Sequence, residues 1–146
     1  MEASSRRRVT FELQPDEGGN PPVASETLWA THLGGDAYEL DNIPFFAIGV
    51  SLGDVVEAPE ADGLPTFVRV LRRGGHATLR VATEEAAIAD IRAALVELGA
   101  STELSHLPSL VSVDVPPTAP LDAILALLAD RAADGNLDWE EADVPA

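Results

Sequence analysis

The chain has 146 residues, 46% of them hydrophobic, which suits one well-buried domain or two small fused ones. Its 25 acids stand against nine basic residues, all of them arginine, for a formal net charge of −16, and it has no cysteine. That balance argues against nucleic-acid binding, which needs clustered positive charge, and the missing cysteines exclude disulfides, thiolate metal sites and cysteine nucleophiles.

No apolar run approaches the ~20 residues of a membrane span. The polar start, with Arg6-Arg7-Arg8, lacks the apolar stretch of a secretory signal. The expectation is a cytoplasmic protein with no membrane and no nucleic-acid partner. Residues 1–8 read as a flexible tail. Val9, Phe11 and Leu13 then alternate with polar neighbours, the periodicity of a strand. Residues 15–22 carry paired prolines and paired glycines and read as a loop. Residues 23–33 form a second expected strand with Trp29 as its core anchor. Gly34-Gly35-Asp36 is a hairpin signal, and residues 37–40 pair back.

Residues 41–54 hold Ile43, Phe45, Phe46, Ile48, Val50 and Leu52, too many apolar side chains for a solvated loop. They read as a buried crossover, with Phe45 and Phe46 in the core. Asn42 and Pro44 suit a turn, the first by side-chain bonding to backbone and the second by its preset φ. Residues 55–58 form a short strand, Asp62-Gly63 a second hairpin turn, and residues 64–71 the returning strand. Five or so short strands at this spacing predict a small β-barrel-like unit over residues 9–73.

Gly74-Gly75 marks a change of pattern. Residues 76–81 read as a strand, and Thr83 is positioned to cap a helix running to Leu98. Its apolar stripe is Ile88, Ile91, Leu95 and Leu98, with Gly99 placed for a left-handed C-cap. Residues 101–104 and 110–115 are strands, the second alternating Val111, Val113 and Val115 with Ser112 and Asp114. A second helix spans 120–133 and a last strand 137–142. The order β-α-β-β-α-β predicts a ferredoxin-like unit over residues 74–146, two helices covering one sheet face. The fold class is α+β.

The run LDNIPFFAIGVSLGDVVEA, followed by GGHATLRV and SHLPSLVSVDVPP, resembles the bacterial family catalogued as domain of unknown function 4265. The likeness extends from Val9 to about Ala142. It implies relatives of the fold, and it implies no activity.

The sharpest polar constellation is His76, Thr78 and Arg80, alternate residues that share one strand face. They are either a site or a structural ion-pair and hydrogen-bond network. His106 follows Ser105, but neighbours on a strand point to opposite faces, so they form no dyad. Glu103 is placed to meet His76 across neighbouring strands. A catalytic zinc needs about three protein ligands, and three histidines without i, i+4 spacing predict no metal and no cofactor. Asn42, Ser51 and Asp54 frame the central stretch as turn, cap and turn acid. GVSLG matches G-x-S-x-G, but a strand follows it where a nucleophile elbow needs a helix. The acidic run Asp138, Glu140, Glu141 and Asp143 is a solvated edge that also suits a basic partner.

Two functions fit these residues. The first is a non-catalytic binding or regulatory module engaging a protein, peptide or small ligand in a cleft between the two units, with Asn42, Ser51, Thr78 and His106 as binding residues. The second is a small cofactor-free isomerase, lyase or hydrolase. It would use His76 as acid/base, Arg80 to hold an anionic substrate, and Glu103 or Asp54 to orient the imidazole.

Overall fold

The computed structural model describes residues 6–19, 23–105 and 107–144. The chain divides into two units, Met1–Gly74 and Gly75–Ala146. It is an α+β protein of largely antiparallel sheets, and the described residues form two α-helices and no closed barrel.

In the first unit the strands are β1 (Arg6–Glu12), β2 (Ser25–Gly34), β3 (Ala37–Leu40), β4 (Val55–Glu57), β5 (Glu60–Ala61), β6 (Leu64–Pro65) and β7 (Arg69–Arg72). The five-stranded sheet runs β1-β2-β3-β4-β7, and β5-β6 is a separate hairpin. The expected single strand over 64–71 is thus two short ones serving different sheets. The hairpin between β2 and β3 sits where two glycines allow positive φ, 114° at Gly34 and 57° at Gly35.

The core of this unit packs Val9, Phe11, Leu28, Ala30, Tyr38, Leu40, Ala47, Val50, Val56 and Ala58 together, with Phe67 stacked on Phe11 at 4.6 Å. Trp29 is not its anchor. Leu28 and Ala30 face the core, so alternation turns the indole between them to the other face. There the guanidinium carbons of Arg6 and Arg8 lie 4.6 and 4.7 Å from its ring centroid. The same two arginines belong to β1, with Arg8 opposite Trp29 in register, so the strand begins inside the expected tail.

Phe45 and Phe46 also sit less deeply than their hydrophobicity suggests. Both are half-buried, whereas Ile43, Ala47 and Val50 are buried and Ile48 is 67% exposed. The segment is held mainly by its backbone: the N–H groups of Phe45, Phe46 and Ala47 all donate to the Glu26 carboxylate, at 2.6, 3.0 and 2.9 Å.

The second unit comprises β8 (Ala77–Thr83), a 3-10 turn (Glu85–Ala87), α1 (Ile88–Glu97), β9 (Ser101–Leu104), β10 (Leu110–Val115), α2 (Leu121–Ala132) and β11 (Leu137–Asp143). Its sheet order is β11-β8-β10-β9, all neighbours antiparallel. Ala77, Leu79 and Val81 of β8 and Val111, Val113 and Val115 of β10 share one core with Ile88, Ile91 and Leu95 of α1 and Ile124 and Leu128 of α2. Both helices therefore cover one face. Thr83 is not the helix cap; it is the last residue of β8, and its hydroxyl donates to the Asn136 carbonyl at 2.9 Å. Gly99 does end α1 with φ 102°, the left-handed conformation that suits a residue without Cβ.

Candidate functional site

Because side chains alternate along a strand, the register of the second unit fixes what stands on its helix-free sheet face. One row across the strands is Asp138, Ala82 and Leu110; the next is Glu140, Arg80, Ser112 and Glu103; a third is Asp143, Thr78, Asp114 and Ser101. His76, just before β8, follows beyond the third row. The sequence pattern marks Ser112 and Asp114 as the open side of β10, yet Val111 through Val115 are buried on both faces. Thr78 and Ser112 are completely buried, and Arg80, Asp114 and Asp143 nearly so.

A buried polar layer is tolerable only when its groups are hydrogen-bonded. Among the described residues no buried side-chain nitrogen or oxygen lacks a partner. Arg80 donates from Nε to Oε2 of Glu140 at 2.6 Å. His76 Nδ1 lies 2.9 Å from both carboxylate oxygens of Asp114. Burial pushes the Asp114 carboxyl above its ordinary range, and the hydrogen bond and charge of His76 partly offset that rise. With Asp114 ionised, Nδ1 is the donor of the shared hydrogen bond.

The structure thus brings His76, Thr78 and Arg80 to one face, but it changes the imidazole's partner. The register puts Glu103 opposite Ser112 on the Arg80 row, two rows from His76, so the expected cross-strand pair does not form. Asp54 is committed inside the first unit. Completely buried, it accepts the N–H of Ser51 at 3.0 Å and of Gly74 at 2.8 Å, and pairs with Arg73 at 3.6 Å. Close packing there requires a glycine, since a Cβ on Gly74 would stand 2.6 Å from the Gly53 carbonyl oxygen. Asn42 likewise serves the backbone, its Oδ1 accepting the Trp29 N–H at 2.7 Å. Ser51 is completely buried in the same turn. His106 lies outside the described residues. Among the described residues no three His, Asp or Glu side chains gather as a metal site.

Sequence reasoning missed Asp114, Glu26 and the Arg80–Glu140 pair. Asp114 carried a faint signal, a carboxylate two residues from Ser112 in a strand whose other face is all valine. Glu26 carried none. The sequence also did not reveal a shallow hollow of about 230 Å³ at the open end of the polar face, lined by Arg80, Ala82, Leu110, Asp138, Trp139 and Glu140. Ala82 and Asp138 are exposed and Leu110 is half-buried, so this end of the face meets solvent, whereas Thr78, Arg80, Ser112 and Asp114 at the centre of the second and third rows are buried.

No helix of the described residues is long and apolar enough to cross a membrane. The fold is shared with a solved structure titled as a hypothetical protein from Neisseria gonorrhoeae, at TM-score 0.80 and 20% identity over 100% of this chain and 99% of that one. No curated protein matches the sequence. The family model described as domain of unknown function (DUF4265) matches residues 26–139, and the chain belongs to that family.

Proposed function

We propose that the chain is a non-catalytic binding module, and that the open end of the helix-free face in its second unit takes a basic, extended segment of a protein partner. The strand order β11-β8-β10-β9, with both helices in one core, supports reading this unit as ferredoxin-like. In the first unit, the bridge between Thr10 of β1 and Thr66, just ahead of the opposite edge strand β7, supports a curled, barrel-like sheet.

The observation that carries the binding reading is the hollow itself. Ala82 and Leu110 give it an apolar floor, while Asp138 and Glu140 supply exposed carboxylates at its rim. A long cationic side chain suits that arrangement, its methylenes on the floor and its charge at the rim. The surrounding unit carries thirteen acids against three arginines, and β11 is an edge strand able to accept a further strand. A ¹⁵N-labelled sample titrated with a short alternating Arg-Val peptide tests the reading. Shifts are expected at Ala82, Leu110 and residues 138–141, weakening with salt and by about tenfold in Asp138→Asn/Glu140→Gln, the scale of losing charge-assisted bonds. Equal shifts with a Glu-Val peptide, or none with either, would sink it.

One observation favours the acid/base alternative: Asp114 holds the His76 ring as an orienting carboxylate does. Against it, Arg80 is engaged by Glu140, and the hollow opens on the first row, three rows from His76. Thermal shifts against small carboxylates and phosphates discriminate the two. Stabilisation of the parent that is lost in Arg80→Ala but kept in His76→Ala supports the enzyme.

A further inference from the structure

We propose a second, independent ligand site in the same unit: the groove between α1 and the edge strand β9 binds an aliphatic monocarboxylate, held at its head by Arg92. The groove is about 370 Å³ and is lined by Glu85, Ile88, Ala89, Arg92, Leu104, Ser105, Leu107 and Pro108. Its origin is local. Ile88 and Arg92 are one helical turn apart and therefore share a flank of α1. Thr102 and Leu104 stand opposite Val113 and Val111 in register, which puts them on the helix side of the sheet.

Edge position leaves Leu104 uncovered. It is 51% exposed, although it faces the side on which Val111 and Val113 are fully buried. Leu107 and Pro108 continue the apolar wall past the end of β9. The Ser105 hydroxyl does not add a free polar group, because it bonds the N–H of Leu107 at 2.9 Å and the Leu107 carbonyl at 3.2 Å.

Arg92 supplies the charge. In this chain Arg6, Arg7, Arg69, Arg73, Arg80 and Arg131 all pair with a carboxylate. Among the described residues Arg8, Arg72 and Arg92 make no such pair; Arg8 lies over the Trp29 ring, and Arg92 lines the groove. Its Nε instead donates to the Thr102 hydroxyl at 2.9 Å, which orients the guanidinium plane and leaves its terminal nitrogens for a second partner. A planar fork with a preset orientation suits a carboxylate's two oxygens. Glu85 lies about two helical turns towards the N-terminal side, on the order of 10 Å along the axis. That carboxylate disfavours a second negative charge at the far end of the ligand, so the groove selects a monocarboxylate with an apolar tail over a dicarboxylate.

The test is a ¹H–¹⁵N titration of the full chain with hexanoate, octanoate and adipate. Hexanoate and octanoate are expected to move the amides of Ile88, Arg92, Thr102 and Leu104, octanoate more tightly, and adipate at least tenfold more weakly. Arg92→Gln should weaken octanoate binding by about tenfold, the worth of a charge-assisted bond, while its remaining spectrum matches the parent and so reports an intact fold. Leu104→Ala should erase the difference between hexanoate and octanoate. No shift with any of the three acids, a shift indifferent to Arg92→Gln, or adipate binding as well as hexanoate would overturn the assignment. None of these outcomes bears on the basic-segment site at β11, which lies on the opposite edge of the sheet.

Discussion

Replacing His76 with alanine removes the partner of an almost fully buried carboxylate, and its effect can be worked out with a sign as well as a size. Asp114 is 3% exposed and loses the hydrogen bond between its carboxylate and the imidazole. A hydrogen bond to a charged group is worth about 1.5–3 kcal/mol. Breaking a buried ion pair outright costs about 3–5 kcal/mol, but that upper figure assumes a charge that cannot escape. Asp114 can escape by taking a proton, and its pKa already lies above the ordinary carboxylate range. A cost of about 1.5–3 kcal/mol at neutral pH follows.

The pH dependence is the sharper test. Between the ordinary and the raised carboxylate pKa, the native state binds more protons than the unfolded state, so stability falls as pH rises through that window. His76→Ala keeps the burial that raises the Asp114 pKa and removes both influences that lower it. The window then extends upward, and the deficit relative to the parent grows with pH across it. Urea denaturation of both proteins, at pH values from 4 to about 8, reads this directly. A deficit that is the same at every pH, or below about 0.5 kcal/mol throughout, would refute the account of Asp114 as a buried acid stabilised by the imidazole.

Glu26→Ala strips the acceptor from three backbone N–H groups and should cost about 2–4 kcal/mol, more than the ~1–2 kcal/mol expected from half-buried Phe46→Ala; urea melts in the reverse order would discount the carboxylate cradle. Gly74→Ala forces a Cβ to within 2.6 Å of the Gly53 carbonyl and should cost about 1–3 kcal/mol by displacing backbone, whereas an unchanged denaturation midpoint would deny the close approach. Binding to duplex DNA at physiological salt should be undetectable in a gel shift, because a net charge of −16 supplies no surface to release counterions. A salt-dependent shift at submicromolar protein would contradict that.

Much of the element order was legible because its signals are local. The β2–β3 hairpin, the whole of β3, the apolar stripe of α1 and its glycine cap depend on neighbours within a few residues, and each lies where the sequence put it. Side-chain parity was harder. Trp29 is the largest apolar side chain of its strand, yet Leu28 and Ala30 facing inward on either side of it settle which way the indole points. Phe45 and Phe46 misled for a related reason: rings advertise burial, while the three N–H groups beneath them, bonded to an acid some twenty residues earlier, leave no mark in a hydrophobic pattern. Of the candidate site, His76, Thr78 and Arg80 were readable as one face. Their partners Asp114 and Glu140 were not, since both come from strands brought alongside only by topology.

That pairing also explains why a polar layer belongs in this sheet. A valine-rich β10 against an apolar β8 would tolerate more than one register, because any even slip keeps aliphatic side chains facing the helices. The second face removes that freedom. A one-residue slip would drive Arg80 or Asp114 into the layer of Leu79, Val81 and Val113, at a desolvation cost of several kcal/mol per ion. A two-residue slip keeps the faces but carries Asp114 away from His76, whose position is set by β8. With Glu140 of β11 also committed to Arg80, three strands are aligned by one ion pair and one imidazole–carboxylate hydrogen bond. The ions themselves add little net stability over a well-packed apolar layer. What they supply is a single alignment, and with it a fixed spacing between the buried rows and the open hollow beside Ala82 and Leu110.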